Sequence, residues 1–294
     1  MNRVLGDRRA IVVLLGPALV LYSLVMLVPV VWSFGYTAFE GNAISGFHFV
    51  GLDNFRELVS DPKAHEALWF TVRFALVLTV VQVGAGYALA LFYVFVLRRR
   101  SGLVRTLVFF PVVIPTVAVA LLFQQLFEVA PRTGPVNQLL ELVGLSPVDW
   151  FSAGGTSFVV LLLMETWRSM GFYAVLLYAG LIDIPEEMIE SARLDGASWL
   201  ALVRHIVVPL SLPVLLASLV FSINGTLKVF DSVVALTSGG PGSTTTPLTL
   251  YMFQTSFAYG QYGYGSTIAL LLSVLCLLVT LVIFRSARRD ATEA

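Results

Sequence analysis

The chain has 294 residues, 57% of them hydrophobic and 12% charged, with equal numbers of basic and acidic groups and a mean hydropathy of +0.87. Soluble domains carry roughly 25% charged residues, so a water-soluble globular fold is excluded, and a net charge of zero points to no nucleic-acid partner. The lone Cys276 excludes an intrachain disulfide, and His48, His65 and His205 are too far apart in sequence for metal-ligand spacing.

Several runs reach the ~20 apolar residues that cross a bilayer, which predicts a single-domain, all-α polytopic membrane protein over residues 1–294. Arg8-Arg9 ahead of the first run is the kind of start a secretion signal has. That run is about twice the ~7–15-residue apolar core of a signal and no clear cleavage site follows it, so a retained first span is expected.

Six transmembrane helices are expected in chain order, at residues 11–39, 68–97, 103–127, 157–182, 210–234 and 265–284. Pro17, Pro29, Pro111 and Pro115 fall within apolar runs, where neighbouring helices satisfy the freed carbonyls. The pair Pro111 and Pro115 is expected to kink the third helix. On the second helix, Gly84 with Ala88 and Gly86 with Ala90 are i,i+4 small pairs suited to close packing. Between spans, the polar stretch 50–66 with Pro62 is expected to hold a short surface helix. The turn-rich stretch 129–156 is expected to hold an amphipathic segment at 138–143.

Basic residues assign the sides of the membrane. Arg3, Arg8, Arg9, Arg98, Arg99, Arg100, Arg105, Arg193, Arg204, Arg285, Arg288 and Arg289 fall in one set of segments, against Arg56, Lys63 and Arg132 in the opposite loops. With six spans both termini share a side, which this asymmetry makes cytoplasmic. Residues 185–209, between spans four and five, lie on that same side.

Those residues are charged and helix-forming, wedged between two apolar runs. Pro185 suits a first helical turn, and Glu186 and Glu187 then sit at the positive end of the helix dipole. Met188, Ile189 and Ala192 form one apolar stripe, and Gly196 permits the left-handed turn that ends a helix. A second short helix is expected from about Ser198, with Trp199, Leu202, Val203 and Ile206 on one face, and Pro209 is expected to start the fifth span. Such a pair of helices suits a partner's groove or a lipid headgroup surface, and physics alone leaves both open.

Glu190-Ser191-Ala192, then Gly196, and after nine residues Ile206-x-Val-Pro209, resemble the EAA motif of binding-protein-dependent ABC importer permeases. Ile184-Pro185 ahead of it and Asp195-Gly196-Ala197 within it resemble the carbohydrate-uptake branch, of maltose-transporter type. So do Lys228-Val-Phe-Asp231, Leu236-Thr-Ser-Gly-Gly-Pro241, Thr246, Tyr251-Met-Phe253, Gly263-Tyr-Gly265 and Leu52-x-Asn54-Phe55. Ser191 stands where that family usually has Ala, and Val203 where it often has Phe. The resemblance implies a multi-pass protein of a prokaryotic cytoplasmic membrane, half of a channel shared with a homologous second permease. It implies two cytoplasmic ATPases that carry ATP and magnesium and grip Glu190, Ser191, Ala192, Asp195, Gly196, Ala197, Ile206 and Pro209. It also implies an external solute-binding protein that meets the Gly239-Gly240-Pro241 loop, although as a sequence Gly-Gly-Pro is a turn. The chain has no G-x-x-x-x-G-K-[ST] phosphate loop, so it is expected to be non-catalytic and to hold no cofactor itself.

Polar residues inside membrane spans mark pathways by default. Glu165, Arg168, Ser169 and Phe172 recur at i, i+3, i+4, i+7 on one face of the fourth span. Ser222, Asn224, Thr226 and Lys228 follow on the fifth, with Asp231 a possible ion partner of Lys228, and Thr116 follows the third-span kink. This set supplies the hydroxyls and aromatic surface a sugar needs. Read singly, Glu165 with Arg168 is equally a structural pair, and Asn224 and the hydroxyls are equally helix–helix glue. Two other classes are weighed. A stand-alone secondary transporter or channel predicts inverted repeats, and an intramembrane enzyme predicts a catalytic constellation; neither is visible. Within the family reading, an amino-acid or peptide permease is the nearest alternative.

Overall fold

The computed structural model describes residues 8–42 and 44–292. Arg3 and the expected domain ends at 1 and 294 lie outside the described residues. Among the described residues, five helices are long and apolar enough to cross a membrane. They are α1 (Val12–Tyr36), α3 (Pro62–Leu97), α7 (Gly154–Ile182), α9 (Trp199–Leu227) and α11, whose helical run is Tyr262–Thr292. A sixth crossing exists only if the bent pair α4 (Ser101–Val113) and α5 (Thr116–Leu126) counts as one span.

The bend is 96°, far more than the expected kink. Pro111 stays inside α4, whereas Ile114 and Pro115 are extended, with ψ of 134° and 133°. A residue before proline is driven out of the helical region, so Pro115 breaks the helix at Ile114. α3 begins at Pro62, where a missing N–H costs nothing, and so starts six residues before the expected 68. α9 is one continuous helix from Trp199, so the second short helix and the fifth span are a single rod and Pro209 lies within it. Its far end is Leu227; the expected stretch to 234 instead turns at Lys228–Phe230 and re-forms as α10 (Asp231–Leu236).

The described residues form two compact units. In the first, made of residues up to Pro62 with Tyr251–Leu271, α1 has no buried residue over its whole apolar length. A two-stranded hairpin follows, β1 (Phe39–Asn42) against β2 (Gly46–Phe49), where the first span was expected to run on to Phe39. Buried Asn54, on α2 (Asp53–Ser60), donates to the carbonyls of Thr37 and Phe39, both at 2.9 Å. The carboxylate of Asp61 accepts from the phenols of Tyr251 and Tyr264, both at 2.5 Å. Burial first, and then that carboxylate, raise the Tyr251 phenol above its usual range.

The second unit, Lys63–Leu250 with the residues from Leu272 on, holds two hydrophobic clusters. One gathers Phe74, Leu78, Val119, Phe123, Leu161, Met164 and Val233; the other gathers Val83, Ala90, Tyr173, Leu177, Leu202 and Val207. Lipid tails are as apolar as leucine, so close packing rather than water exclusion joins membrane helices. Gly86 and Ala90 are buried on the packed face of α3, and a Cβ on Gly86 would stand 2.6 Å from Tyr173 Cβ on α7. Gly84 and Ala88 face outward, so only one of the two small pairs serves packing within the chain.

Candidate functional site

Along α3 and α7 the two clusters are separated by a belt of polar side chains, Thr79 and Gln82, Glu165 and Ser169, and Ser222 and Thr226 of α9 bond to its α3 members. Beside this belt lies a cavity of about 370 Å³, open to Thr116 of α5 and to residues 228–232. Glu165, Arg168, Ser169 and Phe172 all line it, as their helical spacing predicts, together with Thr116, Ser222, Thr226 and Lys228. Asn224 does not. Its amide donates to Val220 O and to Thr280 Oγ1 on α11, each at 2.9 Å, which makes it a helix-to-helix tie.

Hydrogen bonds organise the lining. Arg168 Nη2 lies 2.8 Å from Glu165 Oε2, and Ser232 donates to the other carboxylate oxygen. Glu165 is buried, and both of its oxygens are thereby engaged. Arg168 Nε has no partner among the described residues. Lys228 and Asp231 form no ion pair there; both are exposed and both line the cavity. Their geometry follows from the turn at Lys228–Phe230, which replaces the continuous helix that would have stacked them at i,i+3.

Gln82, Tyr173 and Ser232 also line the cavity and were not among the sequence candidates. A lone glutamine in the apolar run of α3 was the available signal, since such a residue is costly in a membrane unless it has a partner or a task.

The 185–209 segment ends α8 (Glu186–Leu194) with paired backbone bonds, Gly196 N to Arg193 O at 3.1 Å and Ala197 N to Ala192 O at 3.0 Å. Gly196 has φ of +80°, and nothing lies within 4 Å of the position of an added Cβ. Ser198 caps α9, its hydroxyl accepting from Ala201 N at 3.3 Å. The apolar stripes expected to meet a partner are partly used internally. Ala192 and Leu202 are buried in the chain's own second cluster, with Ile189, Ala197 and Ile206 packed against it. Glu190, Ser191, Asp195, Gly196 and Pro209 remain exposed, together with Met188, Leu194, Trp199 and Leu200.

At the other expected docking loop, Gly239 is buried in the turn, with φ of +86°. A Cβ there would stand 2.5 Å from Thr246 Oγ1. Gly240 and Pro241 line a separate cavity of about 770 Å³ with Gln124, Glu128 and Asp149. The neighbouring segment forms α6 (Pro135–Leu142), three residues earlier than the expected amphipathic stretch.

The family described as binding-protein-dependent transport system inner membrane component has a model that matches residues 82–289. The sulfoquinovosyl glycerol transport system permease protein SmoG of Agrobacterium fabrum is 31% identical over 286 residues, covering 97% of this chain and 92% of that one. The trehalose/maltose transport system permease protein MalF of Thermococcus litoralis is 33% identical over 240 residues, covering 82% and 80%. Among solved structures, a chain of a bacterial alginate ABC transporter in complex with alginate pentasaccharide-bound periplasmic protein aligns with a TM-score of 0.80. It is 21% identical and the alignment covers 94% of this chain and 93% of that one, so the likeness is one of fold.

Proposed function

Since the chain belongs to the family of binding-protein-dependent transport system inner membrane components, we propose that it forms half of the pathway of an ATP-driven importer for a sugar or sugar-like solute. The observation that carries this reading is the 370 Å³ cavity, whose wall of hydroxyls, amide and aromatic rings lies beside a polar belt between membrane-length helices. Sugar-permease relatives such as SmoG and MalF support the solute class.

In this reading the chain is one transmembrane domain whose bent α4–α5 pair completes six spans, with both termini and residues 185–209 in the cytoplasm. The exposed Glu190, Ser191, Asp195, Gly196 and Pro209 meet a cytoplasmic ATPase. Ala192, Ala197 and Ile206 hold that surface to the body of the protein, so that a rigid-body movement of the loop reaches the cavity. ATP and magnesium are held by two ATPase subunits, the other half of the pathway is a homologous permease, and an external solute-binding protein approaches Gly239, Gly240 and Pro241. α1, apolar and without buried residues, is covered by lipid or by the second permease.

Purification of the tagged protein in mild detergent from its native membrane tests the assembly. Co-purification of an ATPase and a second permease is the expected result, and recovery of the chain alone would refute it.

A further inference from the structure

The geometry points to Gln82 as a specificity-determining positioning residue of the cavity, one that, anchored on buried Ser222, holds Ser169 as a hydrogen-bond acceptor for solute hydroxyls. The assignment rests on the sugar-import reading. Gln82 is 2% exposed, and its amide bridges the two helices opposite α3. Ser169 on α7 donates to Gln82 Oε1 at 2.5 Å, while Gln82 Nε2 donates to Ser222 Oγ on α9, also at 2.5 Å.

A serine hydroxyl has one hydrogen and two lone pairs. The Ser169 hydrogen is directed inward, towards Gln82 Oε1 and the Glu165 carbonyl 2.6 Å away. Both of its lone pairs are left for the cavity. Ser222 is fully buried, passes its hydrogen to Thr79 Oγ1 at 3.0 Å and takes one from Gln82, so it anchors the Gln82 amide rather than meeting the solute. Ser169 is half-buried and opens onto the cavity. An amide is suited to this task because it offers a donor at one end and an acceptor at the other without placing a second charge beside Glu165. Without Gln82 the Ser169 hydrogen is held by the Glu165 carbonyl of its own helix alone, so the hydroxyl is less firmly fixed and offers its hydrogen to the cavity more often. With Gln82 in place the site reads a solute through its hydroxyl hydrogens, and a sugar analogue with fluorine in place of the contacted hydroxyl, which cannot donate, is rejected.

The test is uptake into proteoliposomes of the assembled transporter, with labelled maltose, trehalose and lactose as probes and the binding protein present. Gln82→Leu keeps the volume and removes both bonds. It is expected to raise KM for the transported sugar about tenfold, the effect of losing one well-made hydrogen bond, to leave kcat within about twofold, and to narrow the discrimination against the fluoro analogues. Gln82→Leu with wild-type KM and wild-type discrimination would overturn the proposal, because a residue that only packs helices is replaced well by leucine. Should Gln82→Leu fail to co-purify with its partners, Gln82→Asn decides. It adds no charge beside Glu165, and its shorter amide does not span Ser169 and Ser222, so a raised KM supports the assignment and an unchanged one overturns it. Failure of the wild type to take up any of the three sugars counts instead against the sugar reading itself, and is told apart by occurring without a substitution.

Discussion

Gly171 on α7 stands so close to Val108 on α4 that a Cβ at residue 171 would lie 2.1 Å from the Val108 carbonyl oxygen. The first half of the bent pair therefore rests on the bare backbone of α7, just beyond Arg168 and Ser169 on the cavity wall. The obstacle is main chain, so no side-chain rotation relieves it.

Gly171→Ala is accordingly expected to push α4 away and destabilise the protein by about 1–3 kcal/mol, the cost of overpacking a tight contact. Gly84→Ala is the control, since nothing lies within 4 Å of its added Cβ and alanine favours a helix. Melting temperatures in detergent should fall for the first and hold or rise for the second. Equal melting temperatures would show that the close approach carries no stability.

Asn137 is buried and donates to the carbonyls of Glu128 and Val148, both at 3.0 Å. It also accepts from Val148 N at 3.0 Å and Trp150 Nε1 at 3.1 Å. Asn137→Ala leaves those groups without their partner, at a cost of about 1–3 kcal/mol for each that stays buried. The expected outcome is faster proteolysis within residues 128–150, with the long helices intact. Unchanged cleavage would refute the anchoring role.

Asn224 separates a structural polar residue from a pathway one. Bonded to Thr280 rather than turned into the cavity, it should tolerate Asn224→Ala with an unchanged KM and a stability loss of about 1 kcal/mol. A raised KM with unaltered stability would return it to the pathway.

Gly196→Val tests the exposed turn. A β-branched side chain at φ of +80° costs about 1–2 kcal/mol in backbone strain, while the space around the position is open within the chain. The protein should insert and retain its cavity, yet lose ATPase activity stimulated by the loaded binding protein. Full stimulation in an assembled Gly196→Val transporter would show that the turn is not a coupling contact.

Much of this architecture is legible in the residues, and the exceptions have physical causes. Apolar runs locate the long helices because a bilayer demands ~20 such residues, and the four-residue spacing of Glu165 and Ser169 places both on the cavity. Hydropathy does not separate the end of α1 from the hairpin at 39–49, whose strands are four residues each and carry three phenylalanines. Nor does it distinguish a kink from a 96° break, which depends on the conformation of Ile114 before Pro115. The roles of Gln82 and Ser232 emerge only from pairings across 87 and 67 residues, distances at which local periodicity carries no information. Ala192 and Leu202 show the opposite limit. Their stripes are real, but a stripe does not say whether it faces a partner or the chain's own core.

The most direct test is sugar uptake into proteoliposomes that hold either the full assembly with ATP inside or this chain alone under an imposed proton or sodium gradient. With maltose, trehalose and lactose as probes, uptake should appear only in the assembly, and only with ATP. Gradient-driven uptake by the chain alone would contradict the account and identify a self-sufficient transporter.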